Sequence, residues 1–187
     1  MGAATYKLVL VLVSTFLVLW YTSFADEGII TEDESKRLYQ RALVISTILN
    51  LISAPFLGMI GDSIPARVLI PVSFGLRAIF GYMFLFVHDP ESIYAYTLIC
   101  LVGLTSGLQV IAINVLFYST LPSKLRGTMT GFFMFFGTMG KLIFALIGGY
   151  MFDKIGRNSP ILLQSAMDTL VVVLALSMIC MGKLQSK

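Results

Sequence analysis

The sequence is poor in charge, in cysteine and in histidine. Charged residues make up 12% of the 187 positions, whereas a soluble domain carries about 25%. The net charge of +3 is small and scattered, so binding to nucleic acid is not predicted. Both cysteines, Cys100 and Cys180, fall inside apolar segments, and no metal-ligand spacing is present. An ordinary soluble domain is therefore excluded, and we predict no metal and no other cofactor.

Residues typical of an enzyme site are equally scarce. His88 is the only histidine, and it lies in a short loop without a positioned nucleophile. Neither a zinc-binding run nor a Gly-x-x-x-x-Gly-Lys-Ser phosphate loop occurs. We predict no catalytic residues, and a pump driven by ATP would need another subunit.

Apolar sequence is what the chain has in abundance. Hydrophobic residues make up 57% of it, and the mean hydropathy is +0.89. A bilayer core of about 30 Å is crossed by a helix of about 20 residues, and the alternating ten-residue segments of a membrane barrel are missing. We predict an all-α, multi-pass protein of the lipid bilayer, forming a single bundle over residues 1–187. Its six expected transmembrane helices are Tyr6–Phe24, Ala42–Gly61, Val68–Val87, Ile93–Tyr118, Met129–Phe152 and Ile161–Met181.

The first apolar segment has a second interpretation. Lys7, the run from Leu8 to Trp20 and the small residues near Ala25 together resemble a secretory signal peptide. The run is long for a signal, however, and its removal would leave an odd number of helices. We favour a transmembrane helix, with the signal peptide as the alternative.

The loops carry two further signals. Thr31 followed by Glu34 fits a capping box, which predicts that the second helix begins near Thr31, outside the lipid. Cytoplasmic loops retain an excess of lysine and arginine, and the side of the termini has six against five, so we predict that both termini are cytoplasmic. The six are Lys7, Arg67, Lys124, Arg126, Lys183 and Lys187, and the five are Lys36, Arg37, Arg41, Lys154 and Arg157.

A short motif occurs twice. Gly58, Asp62 and Ile64 close the second helix, and glycine, aspartate and isoleucine recur at the same spacing 91 positions later, from Gly149 to Asp153 and beyond. Each copy closes the second helix of a three-helix set. Because three is odd, the two sets enter the membrane from opposite sides. The sequence thus predicts two inverted three-helix repeats, a pattern typical of secondary transporters.

The first copy resembles the loop signature of the major facilitator superfamily. The matching residues are Gly58, Gly61, Asp62 and Arg67, while Pro65 and Ala66 replace a usual glycine and a usual basic residue. The charge network is therefore thinner than in the family.

Two later stretches extend the resemblance. Leu121–Gly131 is similar to the loop before the family's eleventh helix, and Gly148–Arg157 to the junction of its last two helices. The second stretch holds the second repeat motif. The order of these stretches agrees with the C-terminal half of the family fold. The second motif comprises Gly149, Asp153, Gly156 and Arg157.

The resemblance implies a function and raises a question of completeness. Family members have twelve helices in two six-helix bundles around a central path, and this chain supplies six. It implies transport of a small solute by alternating access, with a second six-helix half from a homodimer or another chain. A truncated product remains open, as does a transporter-derived accessory subunit of a larger membrane complex that moves nothing.

Asp62 and Arg67 are the candidates for a gate. A carboxylate at the end of one helix and a guanidinium at the start of the next can bridge neighbouring helix ends. The resemblance implies a latch that holds one conformation. The alternative is a solvated loop pair worth about 0–1 kcal/mol.

Three charges fall inside the predicted spans: Arg77, Lys141 and Asp168. Each costs about 2.5–3.5 kcal/mol at the bilayer centre, so each is expected to face protein, water or a partner charge. The resemblance places the helix of Lys141 beside the central cavity, which makes this lysine a candidate to contact an anionic group of a substrate. Snorkelling, or an internal salt bridge to Asp168, is the alternative.

Neutral polar residues complete the candidates. Gln109, Asn114 and Asn50 could line a path, or each could hydrogen-bond across a helix pair. The pairs Gly103/Gly107 and Gly127/Gly131 have the spacing that lets helices approach closely, and we predict packing there, or helix bending during rocking, and not a binding site.

Overall fold

The structure is a computed structural model that describes residues 16–120, 122 and 125–182. Within these residues all regular structure is helical, which confirms the predicted all-α membrane class with six helices. A short 3-10 turn, Phe84–Phe86, follows the third helix. The α-helices are α1 Leu17–Asp26, α2 Glu32–Ser63, α3 Ala66–Met83, α4 Ile93–Thr120, α5 Arg126–Lys154 and α6 Ser159–Cys180.

Some predictions fall outside the described residues. The start of the first segment, with Tyr6, belongs to this group, as does part of the Leu121–Gly131 stretch. So do four of the basic residues in the orientation count, namely Lys7, Lys124, Lys183 and Lys187.

Helices α2 to α6 are each long and apolar enough to cross a membrane. With 32 residues, α2 is about 48 Å long at 1.5 Å per residue, which exceeds a bilayer core of about 30 Å. Its charged first turns therefore extend beyond the lipid. Thr31 caps this end: its hydroxyl accepts a hydrogen bond from the Glu34 backbone N–H at 3.3 Å, and the Glu34 carboxylate accepts one from the Thr31 N–H at 2.8 Å. The predicted capping box is confirmed.

The helices pack unevenly. Helix α3 lies between α4 and α6 with extensive contacts to both, α2 packs on α4, and α1 packs on α2. Helix α5 touches α6 only sparsely. Trp20, Tyr21 and Phe24 of α1 are fully buried, so the described end of the first apolar segment lies in the core of the bundle.

The two repeat motifs lie at opposite ends of the bundle. At the junction of α5 and α6, Arg157 pairs with Glu27 at the end of α1, and Asn158 accepts a hydrogen bond from the Trp20 indole at 2.9 Å. Helix α2 begins five residues after Glu27 and runs about 48 Å from there, so Asp62 lies at the far end. Inverted repeats predict this opposite placement.

The two glycine pairs behave differently. A Cβ on Gly103 would lie 2.9 Å from Asn50 Nδ2, and one on Gly107 would lie 3.1 Å from Leu57 Cδ1. This pair therefore lets α4 approach α2 closely, as predicted. A Cβ on Gly127 or Gly131 would meet nothing within 4 Å. Among the described residues no neighbouring helix approaches this second pair closely, and the alternative of helix bending there stays a prediction.

Candidate functional site

The most deeply buried charges form a pair between α3 and α6. Arg77 and Asp168 have side chains that are only 2% and 1% exposed, and Arg77 Nη1 lies 3.5 Å from Asp168 Oδ2. The salt bridge between Lys141 and Asp168, offered above as an alternative, does not form, because Asp168 faces Arg77. Opposite charges placed together in this way satisfy the expectation that an intramembrane charge finds a partner.

Two glutamines join this pair into a network. Arg77 Nη1 donates a hydrogen bond to Gln109 Oε1 at 3.0 Å, and Gln109 Nε2 donates to Asp168 Oδ1 at 3.4 Å. Gln164 Nε2 donates to the same carboxylate oxygen at 3.2 Å. We name Arg77, Gln109, Gln164 and Asp168 the polar network. Its formal charges cancel.

Sequence reasoning missed Gln164 and the pairing itself, although signals for both exist. Gln164 lies one helical turn before Asp168, where side chains on one helix meet. Arg77 and Asp168 are separated by 91 positions, the same spacing that relates the two repeat motifs. They therefore occupy equivalent positions in the two repeats, on the third helix of each, and they meet where those helices pack.

A cavity of about 340 Å³ lies beside the polar network. All described helices except α5 contribute to its wall. Arg77, Gln164 and Asp168 line it, and Asn50 borders it from α2. The remaining wall is largely apolar, with further polar side chains from α2, α4 and α6, namely Ser46, Thr47, Ser106 and Ser165.

Lys141 is the exception among the intramembrane charges. It lies near the middle of α5 and is partly buried. The buried residues of this helix, Gly137, Phe144 and Gly148, share its face because they are four, three and seven positions away. Among the described residues, Lys141 has neither a hydrogen-bond partner nor an ion-pair partner. Its charge is therefore unmatched within this part of the chain.

The structure does not bring the four predicted cavity residues together. Gln109 is fully buried in the polar network, while Lys141 lies on α5. Asn50 borders the cavity, and its amide donates to the Ser46 carbonyl one turn earlier at 2.8 Å. Asn114 is exposed on α4.

The gating-loop motif lies at the junction of α2 and α3. Gly61 is buried against Ile111 of α4, whereas a Cβ on Gly58 would meet nothing within 4 Å. Asp62 and Arg67 are both exposed, and no ion pair joins them in this structure. The latch between these two residues stays a prediction.

The second repeat motif is engaged at its arginine. Arg157 Nη1 lies 2.8 Å from Glu27 Oε2, and its guanidinium stacks 3.8 Å from the centre of the Phe24 ring. Gly156, with φ of +137°, makes the turn before it. Gly149 meets no neighbour within 4 Å of a Cβ, and Asp153 is exposed. The turn therefore ties the α5–α6 junction to the end of α1.

Comparison with known proteins agrees with this architecture. Residues 8–184 match the family described as Major Facilitator Superfamily. The chain is also 22% identical over 172 residues to the magnetosome protein MamH of Paramagnetospirillum magneticum. This alignment covers 91% of the chain and 39% of the relative, so the chain spans well under half of the relative's length. The family match covers nearly the whole sequence, including both repeat motifs, and this multi-pass integral membrane protein belongs to the major facilitator superfamily.

Proposed function

We propose that this chain is one six-helix half of a secondary transporter, which moves a small solute by alternating access. The second half comes from another copy of the chain or from a different chain. Two facts support the proposal. The chain belongs to a family of transporters, and its alignment covers only 39% of the related protein MamH. The main observation behind the proposal is that the charge of Lys141 has no partner among the described residues.

Lys141 needs a partner that the described part of the bundle does not supply. It lies 15 residues from the first residue of α5, or about 22 Å along the helix axis. An ammonium group at such depth costs about 2.5–3.5 kcal/mol when it is uncompensated. An anionic solute that reaches α5 from a central path would compensate it. We therefore assign Lys141 the role of contacting an anionic group.

Helices α2 and α5 are where a second bundle would pack. They are the least buried of the five membrane-spanning helices. Leu51 on α2 is 74% exposed and Leu146 on α5 is 67% exposed. Covering these faces with a second bundle would enclose a path next to α5.

Alternating access also needs a closure at each end of the path. We propose the Asp62 and Arg67 loop as one closure, on the cytoplasmic side with both termini, and the Glu27–Arg157 pair as the other. In this structure Glu27 and Arg157 are paired, whereas Asp62 and Arg67 are not. A transporter that opens one end at a time requires this asymmetry.

The test is uptake by the purified chain in vesicles, with a panel of small carboxylates, phosphate, sugars and amines. We expect uptake of an anionic solute, and we expect Lys141→Ala to abolish it. Lys154→Ala is the matched control on the same helix, since Lys154 is exposed at its C-terminal end. Uptake that survives Lys141→Ala in a folded chain would overturn the role of Lys141.

An accessory subunit is the second candidate, because the exposed faces of α2 and α5 could equally be covered by a larger complex. Sizing of the detergent-solubilised chain separates the two. A dimer with uptake supports the transporter. Copurification in a fixed ratio with a larger complex, without uptake, supports the accessory role. A monomer without a partner contradicts a path between two bundles.

A further inference from the structure

The exposed faces of α2 and α5 each carry an apolar stripe with a charge at one end. Residues three, four and seven positions apart lie on one face of a helix, and every member of the two stripes is exposed. The α2 stripe is Arg37, Val44, Ile48 and Leu51. The α5 stripe is Asp153, Leu146, Leu142 and Met139.

The charges of the two stripes lie at the same end of the bundle. Arg157, four residues after Asp153, pairs with Glu27, and α2 begins five residues after Glu27. Neither Arg37 nor Asp153 has an ion-pair partner among the described residues. The α2 stripe therefore ends in an unpaired cation, and the α5 stripe ends in an unpaired anion on the same side of the membrane.

The depths of the two stripes can be compared through α1. Phe16, directly before α1, packs on α5: its ring lies edge-on to Phe144 at 5.8 Å, and a Cβ on Gly148 would lie 2.8 Å from its Cζ. Helix α1 ends at residue 26 and the adjacent α2 begins at residue 32, so Phe16 and Ala42 are each ten residues from that end. Both lie about 15 Å from it. Ala42 and Gly148 are therefore at about the same depth.

This common depth matches the stripes residue by residue, because α2 and α5 run in opposite directions. Arg37 and Asp153 are each five positions nearer the end of the bundle, so the two charges share one depth. The same count matches Met59 with Gly131, where a Cβ would meet nothing within 4 Å, and a glycine leaves room for a large side chain. The apolar matches, all at least 42% exposed, are Val44 with Leu146, Ile48 with Leu142 and Leu51 with Met139.

We propose that a second copy of this chain covers both stripes, with the α2 stripe of each copy packed on the α5 stripe of the other. A twofold axis along the membrane normal keeps every residue at its depth and makes the same contact twice. Arg37 then faces Asp153 of the second copy in both contacts. The complement of each stripe, in charge and in depth, is thus present in the chain itself. This inference rests on the second bundle of the proposed function and identifies it, but it does not require transport.

The test is disulfide cross-linking in vesicles between two differently tagged chains, each with Cys100→Ala and Cys180→Ala. One chain carries Val44→Cys and the other carries Leu146→Cys. We expect oxidation by copper phenanthroline to give a mixed covalent dimer. The matched control replaces Leu146→Cys with Phe135→Cys, which is exposed on the same face but about 16 Å away along the axis, and it should give none. Equal cross-linking of the two pairs, or none in either, would overturn the proposed contact.

A charge exchange tests the ion pair between the copies. Arg37→Glu places two carboxylates opposite each other in both contacts, so we expect the Kd of the dimer, measured by energy transfer between labelled chains in vesicles, to rise about tenfold. Arg37→Glu combined with Asp153→Arg restores opposite charges and should recover most of the loss. Lys36→Glu reverses an exposed charge about 100° away around the helix and should have little effect. A double variant as weak as Arg37→Glu alone would overturn the pairing.

Further results separate this interface from the proposed function. A monomer whose uptake requires a different six-helix chain would overturn the second copy as the partner and leave the transporter standing. A monomer in which both thiols react with a lipid-soluble maleimide would show that lipid covers the stripes, and it would overturn the interface. A mixed cross-linked dimer that takes up no solute of the panel would support the interface and contradict transport.

Discussion

Two intramembrane charge environments of this bundle differ in almost every respect. The polar network joins Arg77 and Asp168 between α3 and α6, and both side chains are nearly inaccessible. Lys141 lies on α5, which has few contacts, and has no partner among the described residues. The charges of Arg77 and Asp168 neutralise each other inside the bundle. No described residue neutralises the charge of Lys141.

This difference indicates two roles. The polar network stabilises the packing of the bundle, whereas Lys141 is available to contact a partner or a solute. A buried pair with bridging glutamines fixes how α3, α4 and α6 meet, because each member depends on the others. A lone ammonium on a sparsely packed helix adds nothing to that packing. Removing one charge of the polar network should therefore lower the free energy of unfolding, and removing the charge of Lys141 should raise it.

The largest effect is expected from Asp168→Ala. The substitution leaves the Arg77 guanidinium buried without its counter-charge, and breaking one partner of a buried pair costs about 3–5 kcal/mol. We expect the free energy of unfolding to fall by about that amount. It can be measured in detergent by fluorescence of Trp20, the single tryptophan, which is buried.

Two variants control this experiment. Asp153→Ala removes an exposed aspartate and should leave stability unchanged within about 0.5 kcal/mol. Arg77→Met with Asp168→Leu removes both charges and should recover most of the loss, since apolar replacement of a whole buried pair is often neutral. Equal losses in the double variant and in Asp168→Ala would contradict the view that the unmatched charge is the cause.

The opposite sign is expected on α5. Lys141→Met keeps the length of the side chain and removes a charge that costs at most about 2.5–3.5 kcal/mol at the bilayer centre. We expect the isolated chain to gain stability, by less than that limit because the side chain can snorkel. Lys154→Met, at the exposed end of the helix, should change little. A loss of stability in Lys141→Met would show that the lysine has an internal partner and would remove the contrast between the two sides.

Two glycines one turn apart on α2 test the difference between the face of α2 that packs on α4 and the face that has no neighbour among the described residues. Gly61 is buried against Ile111, whose branched side chain has little freedom to move, so Gly61→Ala should cost about 1–3 kcal/mol. A Cβ on Gly58 meets nothing, and Gly58→Ala should raise helix stability by up to about 1 kcal/mol. Unfolding of the two purified variants measures both. If Gly58→Ala instead destabilises the assembled protein but not the isolated bundle, a partner packs at that glycine.

Local features of this fold could be read from residue order. The cap at Thr31 and Glu34 depends on four neighbouring residues, and apolar runs locate the helices because backbone groups in lipid must be satisfied within each helix. The repeat also placed Asp62 and Asp153 at opposite ends. The start of α2 at Glu32 shows that a helix continues past the apolar run when its polar turns leave the lipid.

The partners of the intramembrane charges were harder to predict. Lys141 and Arg77 are both cations on apolar helices, and composition does not say which of them faces Asp168. The answer depends on α3 packing against α6, a tertiary contact between residues 91 positions apart. The repeat spacing held that information, because equivalent positions of two repeats can meet at the axis that relates them. The cavity depends on side-chain packing across five helices, which no pattern along the chain specifies.

The smallest effect is expected at the contact of Arg157 with Glu27 and Phe24, which ties the α5–α6 junction to the end of α1. An exposed ion pair contributes about 0–1 kcal/mol and a cation above an aromatic ring about 0.5–1 kcal/mol. Arg157→Ala should therefore lower the free energy of unfolding by about 1 kcal/mol, measured as above. Arg157→Lys keeps the charge but not the planar stacking group, so about half of the loss should remain. Both variants could instead keep full stability and change uptake. That result would show that the contact is a closure that opens and closes, because a contact that is broken during half of the transport cycle contributes little to average stability.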